Sequence, residues 1–278
     1  MLGRFPSRTV IIACLLIAFG SLFLRNIVYI AYSGNPGHLS GQQAAGNRDP
    51  IILAYHERPP YYVTTGNNVL SGLVGEIGYS AFQRSGLSFT LQVLPPNRQL
   101  VAVKSDQERL CALGWFKTPE REKFATFTLP LYQDLPTAVI ARADITISPP
   151  VPTIAELFHN RNLTLLVKDG YSYGRYVDDA LQRYNPVSTD TTADMRQMLE
   201  MIDTGKADYF ITSSEEASEI IATSSRPDHY HIIRPRDVPP GNLRYYMCSK
   251  QVTPEEIRLL NTAISTENRT MGRTFPNQ

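Results

Sequence analysis

The sequence has few cysteines and none of the common metal or phosphate-binding motifs of enzymes. Only three of its 278 residues are cysteine and one is tryptophan. It contains neither the His-Glu-x-x-His spacing of zinc peptidases nor the Gly-rich loop that holds nucleotide phosphates. Its five histidines are scattered, and the pair His229 and His231 has no third metal ligand near it in sequence. We therefore expect no bound metal, no cofactor and no enzymatic activity.

The chain also lacks an excess of charge of either sign. Lys and Arg number 27 against 26 Asp and Glu. Three of the basic residues and none of the acidic ones lie within residues 1–46, so the remainder is slightly acidic. A nucleic-acid-binding surface usually needs clustered positive charge. We expect no nucleic-acid partner.

No acidic residue occurs in the first 48 positions, and this region has the pattern of an export leader. Arg4 and Arg8 precede an apolar run from Thr9 to Leu24, as in secretory signal peptides. We assign residues 1–33 to a signal peptide or to an uncleaved membrane anchor, because the run is only slightly shorter than the roughly 20 residues of a spanning helix. Residues 34–49 are rich in Gly, Ser, Asn and Gln, which favours a flexible spacer. The folded part is thus expected in the periplasm, free or anchored to the inner membrane.

Beyond the spacer, short apolar runs alternate with amphipathic segments. This alternation of predicted strands and helices is typical of α/β proteins with largely parallel sheets. It stops at Pro149-Pro150 and then begins again. We therefore expect a second lobe to start near Ala143. Strands are predicted at 51–55, 89–94, 110–115, 137–142, 163–168, 209–212, 230–233 and 243–249.

The most specific motif follows the third predicted strand. It reads Leu113-Gly114-Trp115-Phe116-Lys117-Thr118-Pro119-Glu120-Arg121, and Phe124, Phe127 and Pro130-Leu131-Tyr132 come after it. Further along are Lys168-Asp169-Gly170-Tyr171-Ser172-Tyr173-Gly174 and Gly205-Lys206-Ala207-Asp208. In this order the motifs resemble those of the periplasmic solute-binding proteins of amino-acid uptake systems, known as solute-binding family 3. The likeness spans Ile51 to Ser265.

The resemblance implies an α/β fold of two lobes, each a central mostly parallel sheet flanked by helices, with two crossover strands between them. Lobe one would comprise 50–142 and 236–278, and lobe two 143–235. A small carboxylate-bearing, amino-acid-like ligand would bind in the cleft, and a monomeric protein would deliver it to an ABC permease of the inner membrane. Two alternatives stay open: an anchored sensory or regulatory module, and a cleft dehydratase with Glu57 as its acid or base.

Arg121 is the first candidate for ligand binding. It matches the carboxylate-binding arginine that the resemblance implies, and a guanidinium holds a carboxylate by two parallel hydrogen bonds. The alternative is a surface arginine in the mixed charge run with Glu120, Glu122 and Lys123. We expect the ligand role.

Other candidates lie where predicted strands end. Tyr61, Tyr62, Trp115 and Phe116 can offer flat aromatic faces to a ligand, although strand alternation can equally place them in the core. Glu57 can accept hydrogen bonds from a ligand ammonium or pair with Arg58 or Arg98. Three further residues follow Gly170 at a strand-to-helix junction, where hydroxyls and free backbone N–H groups can meet an anion: Tyr171, Ser172 and Tyr173.

The chain departs from the family pattern at three positions. Amino-acid binders place hydroxyl residues where Gly114 and Phe116 stand, and an acid that holds the ligand ammonium where Ser213 stands. We count Ser213 among the ligand-binding candidates, with Glu215 or Glu216 as nearby sources of negative charge. An ordinary α-amino acid is therefore a doubtful ligand.

Two cysteines remain beyond the leader, Cys111 and Cys248. The family topology would lay their strands side by side in lobe one. In an oxidising exported compartment such a pair permits one disulfide, which we expect between them.

Overall fold

The computed structural model describes residues 48–66 and 69–275. The expected leader, 1–33, and nearly all of the expected spacer, 34–49, lie outside these residues. No helix within the described ranges is both long and apolar enough to cross a membrane.

Strands and helices alternate along the described chain. In order they are β1 (Ile51–Tyr55), β2 (Val63–Thr65), β3 (Val69–Ser71), α1 (Gly75–Ser85), β4 (Phe89–Val93), α2 (Pro96–Ser105), β5 (Leu110–Phe116), α3 (Pro119–Glu122), β6 (Thr126–Phe127), β7 (Tyr132–Gln133), β8 (Thr137–Arg142), α4 (Ile154–His159), β9 (Leu165–Lys168), α5 (Arg175–Tyr184), β10 (Ser188–Thr191), α6 (Met195–Asp203), β11 (Tyr209–Ser213), α7 (Ser214–Ala222), a 3-10 turn (Pro227–His229), β12 (Tyr230–Ile233), β13 (Leu243–Cys248) and α8 (Pro254–Thr270).

Several helices begin at capping side chains. Thr153, Asp194 and Thr253 each accept a hydrogen bond from the backbone N–H three residues later. The side chain of the Glu or Gln at that later position accepts a second hydrogen bond, from the backbone N–H of the capping residue. This capping box satisfies backbone donors that the first helical turn leaves unpaired. It explains why α4, α6 and α8 start where they do.

The first sheet has the strand order β4-β1-β5-β13-β6, and β7 also pairs with β13. Strands β4, β1 and β5 are parallel, and β13 is antiparallel to β5. β5 is central, and its residues are buried except for the half-buried Phe116. Helices α1 and α8 cover one face, where Phe82 and Leu260 are fully buried, and α2 covers the other with Val103.

A disulfide joins two neighbouring strands of this sheet. Cys111 lies directly opposite Cys248 in the register of β5 and β13, and their sulfurs are bonded. Both cysteines are fully buried. The bond closes a loop of 137 positions that includes the whole second sheet.

The second sheet has the strand order β10-β9-β11-β8-β12. Strands β10, β9 and β11 are parallel, whereas β8 is antiparallel to β11 and β12, so both sheets are mixed. Helices α4 and α5 pack on one face and α6 and α7 on the other. The molecule thus has two α/β lobes, each built on one sheet.

The chain crosses between the lobes twice. It leaves the first sheet after Gln133 and enters the second at Thr137, then leaves the second after Ile233 and returns at Leu243. The break expected at Ala143 is therefore too late: β8 pairs with β11 and β12 of lobe two. The Pro149-Pro150 break that suggested it lies within lobe two, in the loop before α4.

Candidate functional site

A cavity of about 70 Å³ lies where the two lobes meet. It is lined by the loops that follow β1, β5 and β9, by the end of β11 and by the crossing segments. Loops at the carboxyl ends of parallel strands are where α/β folds place ligand sites. Of the ten ligand-binding candidates, these eight line the cavity: Tyr62, Trp115, Phe116, Arg121, Tyr171, Ser172, Tyr173 and Ser213.

Arg121 is buried in the cavity wall without a carboxylate partner. Its side chain donates to the carbonyl of Phe116 at 2.9 Å and, across the cleft, to that of Gly170 at 3.5 Å. The guanidinium lies 4.6 Å from the centre of the Trp115 ring. Burial lowers its pKa to about 10, against the raising effect of Asp178 and Glu120. Arg121 is therefore a charged group at neutral pH, and none of the ion pairs among the described residues includes it.

A buried ion pair crosses the cleft beside it. Arg58, after β1, donates two hydrogen bonds to Glu216 in the first turn of α7, at 2.6 and 2.7 Å. Thr212 also donates to this carboxylate. Burial alone would raise the pKa of Glu216, but the charge and hydrogen bonds of Arg58 lower it. Glu216 is thus held ionised with its oxygens occupied.

A second buried pair lies at the first crossing segment. Arg244 of β13 donates two hydrogen bonds to Asp134, at 2.5 and 2.7 Å, and one to the carbonyl of Gly114 at 3.1 Å. Its guanidinium stacks 3.9 Å from the ring centre of Tyr61 and 4.9 Å from that of Phe116. Arg244 is therefore fully engaged in the structure.

The charged groups of the cavity wall sum to a net positive charge. Three arginines line it: Arg244 is paired with the lining carboxylate Asp134, and Arg58 is paired with Glu216, which lies outside the lining. The unbalanced charge belongs to Arg121. In a desolvated site an unbalanced cation attracts an anion strongly, so this site favours a carboxylate.

His56 completes the wall in its neutral form. Its Nε2 lies 3.1 Å from the hydroxyl of Tyr171, so it links the two lobes. Burial lowers its pKa to about 3, and the positive charges of Arg58, Lys168 and Arg244 add to this. A neutral imidazole both donates and accepts, and it adds no charge to the cavity.

The aromatic candidates that line the cavity bond their polar atoms to the protein. Trp115 donates to Gln99 at 2.9 Å, the hydroxyl of Tyr173 accepts from the backbone of Lys168 at 2.8 Å, and that of Tyr62 donates to Gly114 at 3.4 Å. The remaining rings belong to Phe116 and Tyr171. The wall thus combines aromatic rings with one guanidinium, that of Arg121, which pairs with no carboxylate of the described residues.

Two candidates do not line the cavity. Glu57 is exposed and accepts hydrogen bonds from the backbone and hydroxyl of Thr64. Tyr61 is completely buried, and its hydroxyl is hydrogen-bonded to Ser213. Ser213 does reach the cavity, but its hydroxyl also accepts from the backbone of Glu216 at 3.3 Å as the cap of α7.

The loop from Gly170 to Gly174 has the spacing Gly-x-Ser-x-Gly, which in α/β-hydrolases marks a nucleophilic serine. Here Ser172 bonds to Asp178 at 2.5 Å and accepts from the backbone of Gly174 at 3.2 Å. Within the described residues no histidine is hydrogen-bonded to it. The loop therefore does not form a serine–histidine pair, and its glycines serve its positive-φ turns.

Several cavity residues carry little signal in the sequence. The sequence indicates Arg58 only as a partner of Glu57, and no motif points to Asp134. Arg244 could have been identified from the sequence, because it is a charged residue in an otherwise apolar strand. Such residues are rarely buried without a partner. Among the described residues no cluster of His, Cys, Asp and Glu fits a metal ion.

Comparison with known proteins gives one family and many structures of the same fold. The model of the bacterial extracellular solute-binding proteins, family 3, matches residues 51–208. An ancestral arginine-binding protein bound to arginine is 15% identical, with a TM-score of 0.64 over 81% of this chain and 94% of that one. Holo ArgBP from T. maritima is 17% identical, with a TM-score of 0.60 over 81% and 91%.

A third structure of the same fold is the ancestral amino acid-binding protein AncCDT-1, a precursor of cyclohexadienyl dehydratase. It is 13% identical, with a TM-score of 0.61 over 80% of this chain and 90% of that one. No curated protein sequence matches the chain.

Proposed function

Because this chain belongs to the bacterial extracellular solute-binding proteins, family 3, we propose that it captures a small carboxylate-bearing organic ligand between its lobes. The observation that carries the proposal is Arg121, a buried guanidinium in the cavity wall with no carboxylate partner in the described chain. A carboxylate in the cavity balances that charge and accepts its remaining N–H groups. The ring faces of Trp115 and Tyr62 would cover the rest of the ligand.

The size of the cavity limits the ligand to a small molecule. Its volume of about 70 Å³ is well below the roughly 300 to 1,000 Å³ of pockets for drug-sized ligands. Peptides are therefore poor candidates, and compact organic acids of amino-acid size are better ones.

Capture requires the lobes to separate and close again, because the cavity is enclosed by both of them. Hydrogen bonds across the cleft join His56 to Tyr171, Asn97 to Asp169 at 3.1 Å, and Asn242 to the carbonyl of Tyr173 at 3.1 Å. A ligand that contacts both lobes binds the closed form more tightly and shifts the population toward it. The closed surface would then be presented to an ABC permease of the inner membrane, which we propose as the partner of a monomeric periplasmic protein.

An enzymatic role has one point in its favour, the likeness in fold to AncCDT-1. The acid or base suspected for it, Glu57, is exposed and outside the cavity wall. Asp134, which does line the cavity, and Glu216, which lies behind Arg58, are each held by two arginine hydrogen bonds. These contacts favour binding over proton transfer.

The test is a thermal-shift screen of the purified protein against amino acids, opines, small peptides and organic acids. A compound that binds only the folded state raises the melting temperature with its concentration. We expect stabilisation by at least one small carboxylate and none by its amide. If no carboxylate stabilises the protein, or the amides stabilise it equally, the proposal is wrong.

A further inference from the structure

Among the described residues that line the cavity, no carboxylate is free to pair with a ligand ammonium. An ammonium carries three donors and a full charge, and burying it without a negative partner is costly. Asp134 is the one carboxylate among the described residues that line the cavity, and Glu216 lies behind the lining residue Arg58. The oxygens of each are bonded by an arginine at 2.7 Å or less. An ammonium could reach them only by displacing a buried guanidinium.

The surrounding charges also oppose a cation. Arg58, Arg121 and Arg244 all line the cavity, and Lys168, although outside it, lies 4.9 Å from the ring centre of the lining residue Tyr171. The hydroxyl of Ser213 is already bonded to Tyr61 and to the backbone of Glu216. An α-ammonium would therefore meet cations and occupied acceptors.

Arg58 sets this arrangement, because within the described part of the chain it is the one ion-pair partner of Glu216. Its two hydrogen bonds occupy both oxygens of a carboxylate that is completely buried. Arg58 lines the cavity and Glu216 lies behind it, so without Arg58 the buried carboxylate would be unpaired next to the lining residue Ser213. That is the group an ammonium requires.

On these contacts, and resting on the proposed capture of a carboxylate, we infer that the site selects carboxylic acids that carry no α-ammonium group, and that Arg58 is the residue that sets this selectivity. The ligand class is thus 2-oxo, 2-hydroxy or unsubstituted carboxylic acids. Arg121 binds the carboxylate, and the pairing of Arg58 with Glu216 excludes the amine.

The experiment compares matched ligands that share one carbon skeleton and differ only at the α carbon, which bears NH₃⁺, OH, a 2-oxo group or hydrogen. Calorimetry on the wild-type protein measures each dissociation constant. We expect each amine-free acid to bind at least about tenfold more tightly than its α-amino acid, since one uncompensated charge costs more than the 1.4 kcal/mol of a tenfold change. Equal or tighter binding of the amino acids overturns the inference.

Variants then test the assigned residue. Arg58→Gln should move the preference toward the amino acid by about tenfold or more, because it leaves Glu216 free to pair with the ammonium. Arg58→Gln with Glu216→Gln, which removes both charges, should show no such move. Arg58→Lys keeps a cation beside Glu216 and should retain the preference for amine-free acids. A preference that is the same in Arg58→Gln and in the double variant shows that Arg58 does not set selectivity.

The outcomes separate the two proposals. If amino acids bind as tightly as their amine-free analogues, capture of a carboxylate stands and the selectivity is wrong. If no member of any pair binds, both are wrong. If Arg58→Gln fails to fold, the comparison of matched ligands on the wild-type protein still decides the ligand class.

Discussion

Arg58 in lobe one and Glu216 in lobe two form a doubly hydrogen-bonded ion pair, with N–O distances of 2.6 and 2.7 Å, that is closed to solvent at the carboxylate. The residues are 158 positions apart in the chain. Because each belongs to a different lobe, opening the cleft separates them and exposes both charges to water. The pair therefore contributes to the balance between open and closed forms.

Glu216→Gln should shift this balance toward the open form. It leaves Arg58 as a buried charge without a partner, which typically costs about 3–5 kcal/mol in a closed structure, and opening lets water solvate it. We expect a larger radius of gyration by small-angle X-ray scattering without ligand. Glu219→Gln on the same helix is the control, because the Glu219 side chain makes no ion pair within the described residues. Identical radii for the two variants would contradict this.

His56 should make the protein less stable in mild acid. Its pKa is about 3 in the folded protein against 6.5 in the unfolded chain, so between these values the unfolded state binds the extra proton. The contribution of His56 to the free energy of unfolding is fully present above pH 6.5. It decreases as the pH falls toward 3, by at most about 1.4 kcal/mol per pH unit. Urea unfolding at pH 7, 6 and 5 measures the slope.

His56→Gln should flatten this slope, because an amide does not titrate. His231→Gln is the control, since His231 is exposed on β12. An unchanged slope in His56→Gln would show that His56 binds its proton equally well in the folded and unfolded states.

Gly114 should not tolerate a side chain. It has φ of +76° within β5, and a Cβ there would lie 1.7 Å from the Tyr62 hydroxyl oxygen. Gly86, the C-cap of α1, has φ of +71° but no atom within 4 Å of the same position. Gly86→Ala should cost about 1–2 kcal/mol of backbone strain, and Gly114→Ala clearly more, because Tyr62 must also move. Equal losses in urea unfolding would mean that the Tyr62 contact is not tight.

The disulfide should be a large contributor to stability. Replacing both Cys111 and Cys248 by Ala removes a link that closes a loop of 137 positions and should lower the free energy of unfolding by about 3–5 kcal/mol. Reduced wild-type protein should lose a similar amount in the same urea titration. A loss below about 1 kcal/mol in both would indicate that the cysteines are not bonded in the native protein.

Local patterns allowed much of the fold to be predicted. The strand predicted over 51–55 is observed at Ile51–Tyr55, and the strand predicted over 110–115 at Leu110–Phe116, because apolar patterning and Gly or Pro boundaries are local signals. The lobe that contains β8 was not predictable in this way. Its partners β11 and β12 begin more than 60 residues away, and a strand carries no mark of which sheet it will join.

The same difference between local signals and distant partners decides which site residues could be predicted. Residues in ordered motifs, such as Trp115 and Arg121, could be singled out, and both line the cavity. The direction of the Glu57 side chain could not be predicted from the sequence. Glu57 follows a strand, as a ligand-binding acid would, but its carboxylate accepts a hydrogen bond from the backbone of Thr64. The pairs of Arg58 with Glu216 and Arg244 with Asp134 depend on distant segments meeting. Because the charges within each pair balance, the net charge of the cavity belongs to the motif residue Arg121.

The central claim is that Arg121 holds a ligand carboxylate in the cavity between the lobes. Isothermal titration of the strongest carboxylate ligand into wild-type protein and Arg121→Gln tests it most directly, with Arg98→Gln as the control, since Arg98 does not line the cavity. A charge-assisted double hydrogen bond in a buried site predicts at least about a hundredfold weaker binding in Arg121→Gln, or roughly 3 kcal/mol, and no change in Arg98→Gln. Equal affinity in wild-type protein and Arg121→Gln would contradict the claim.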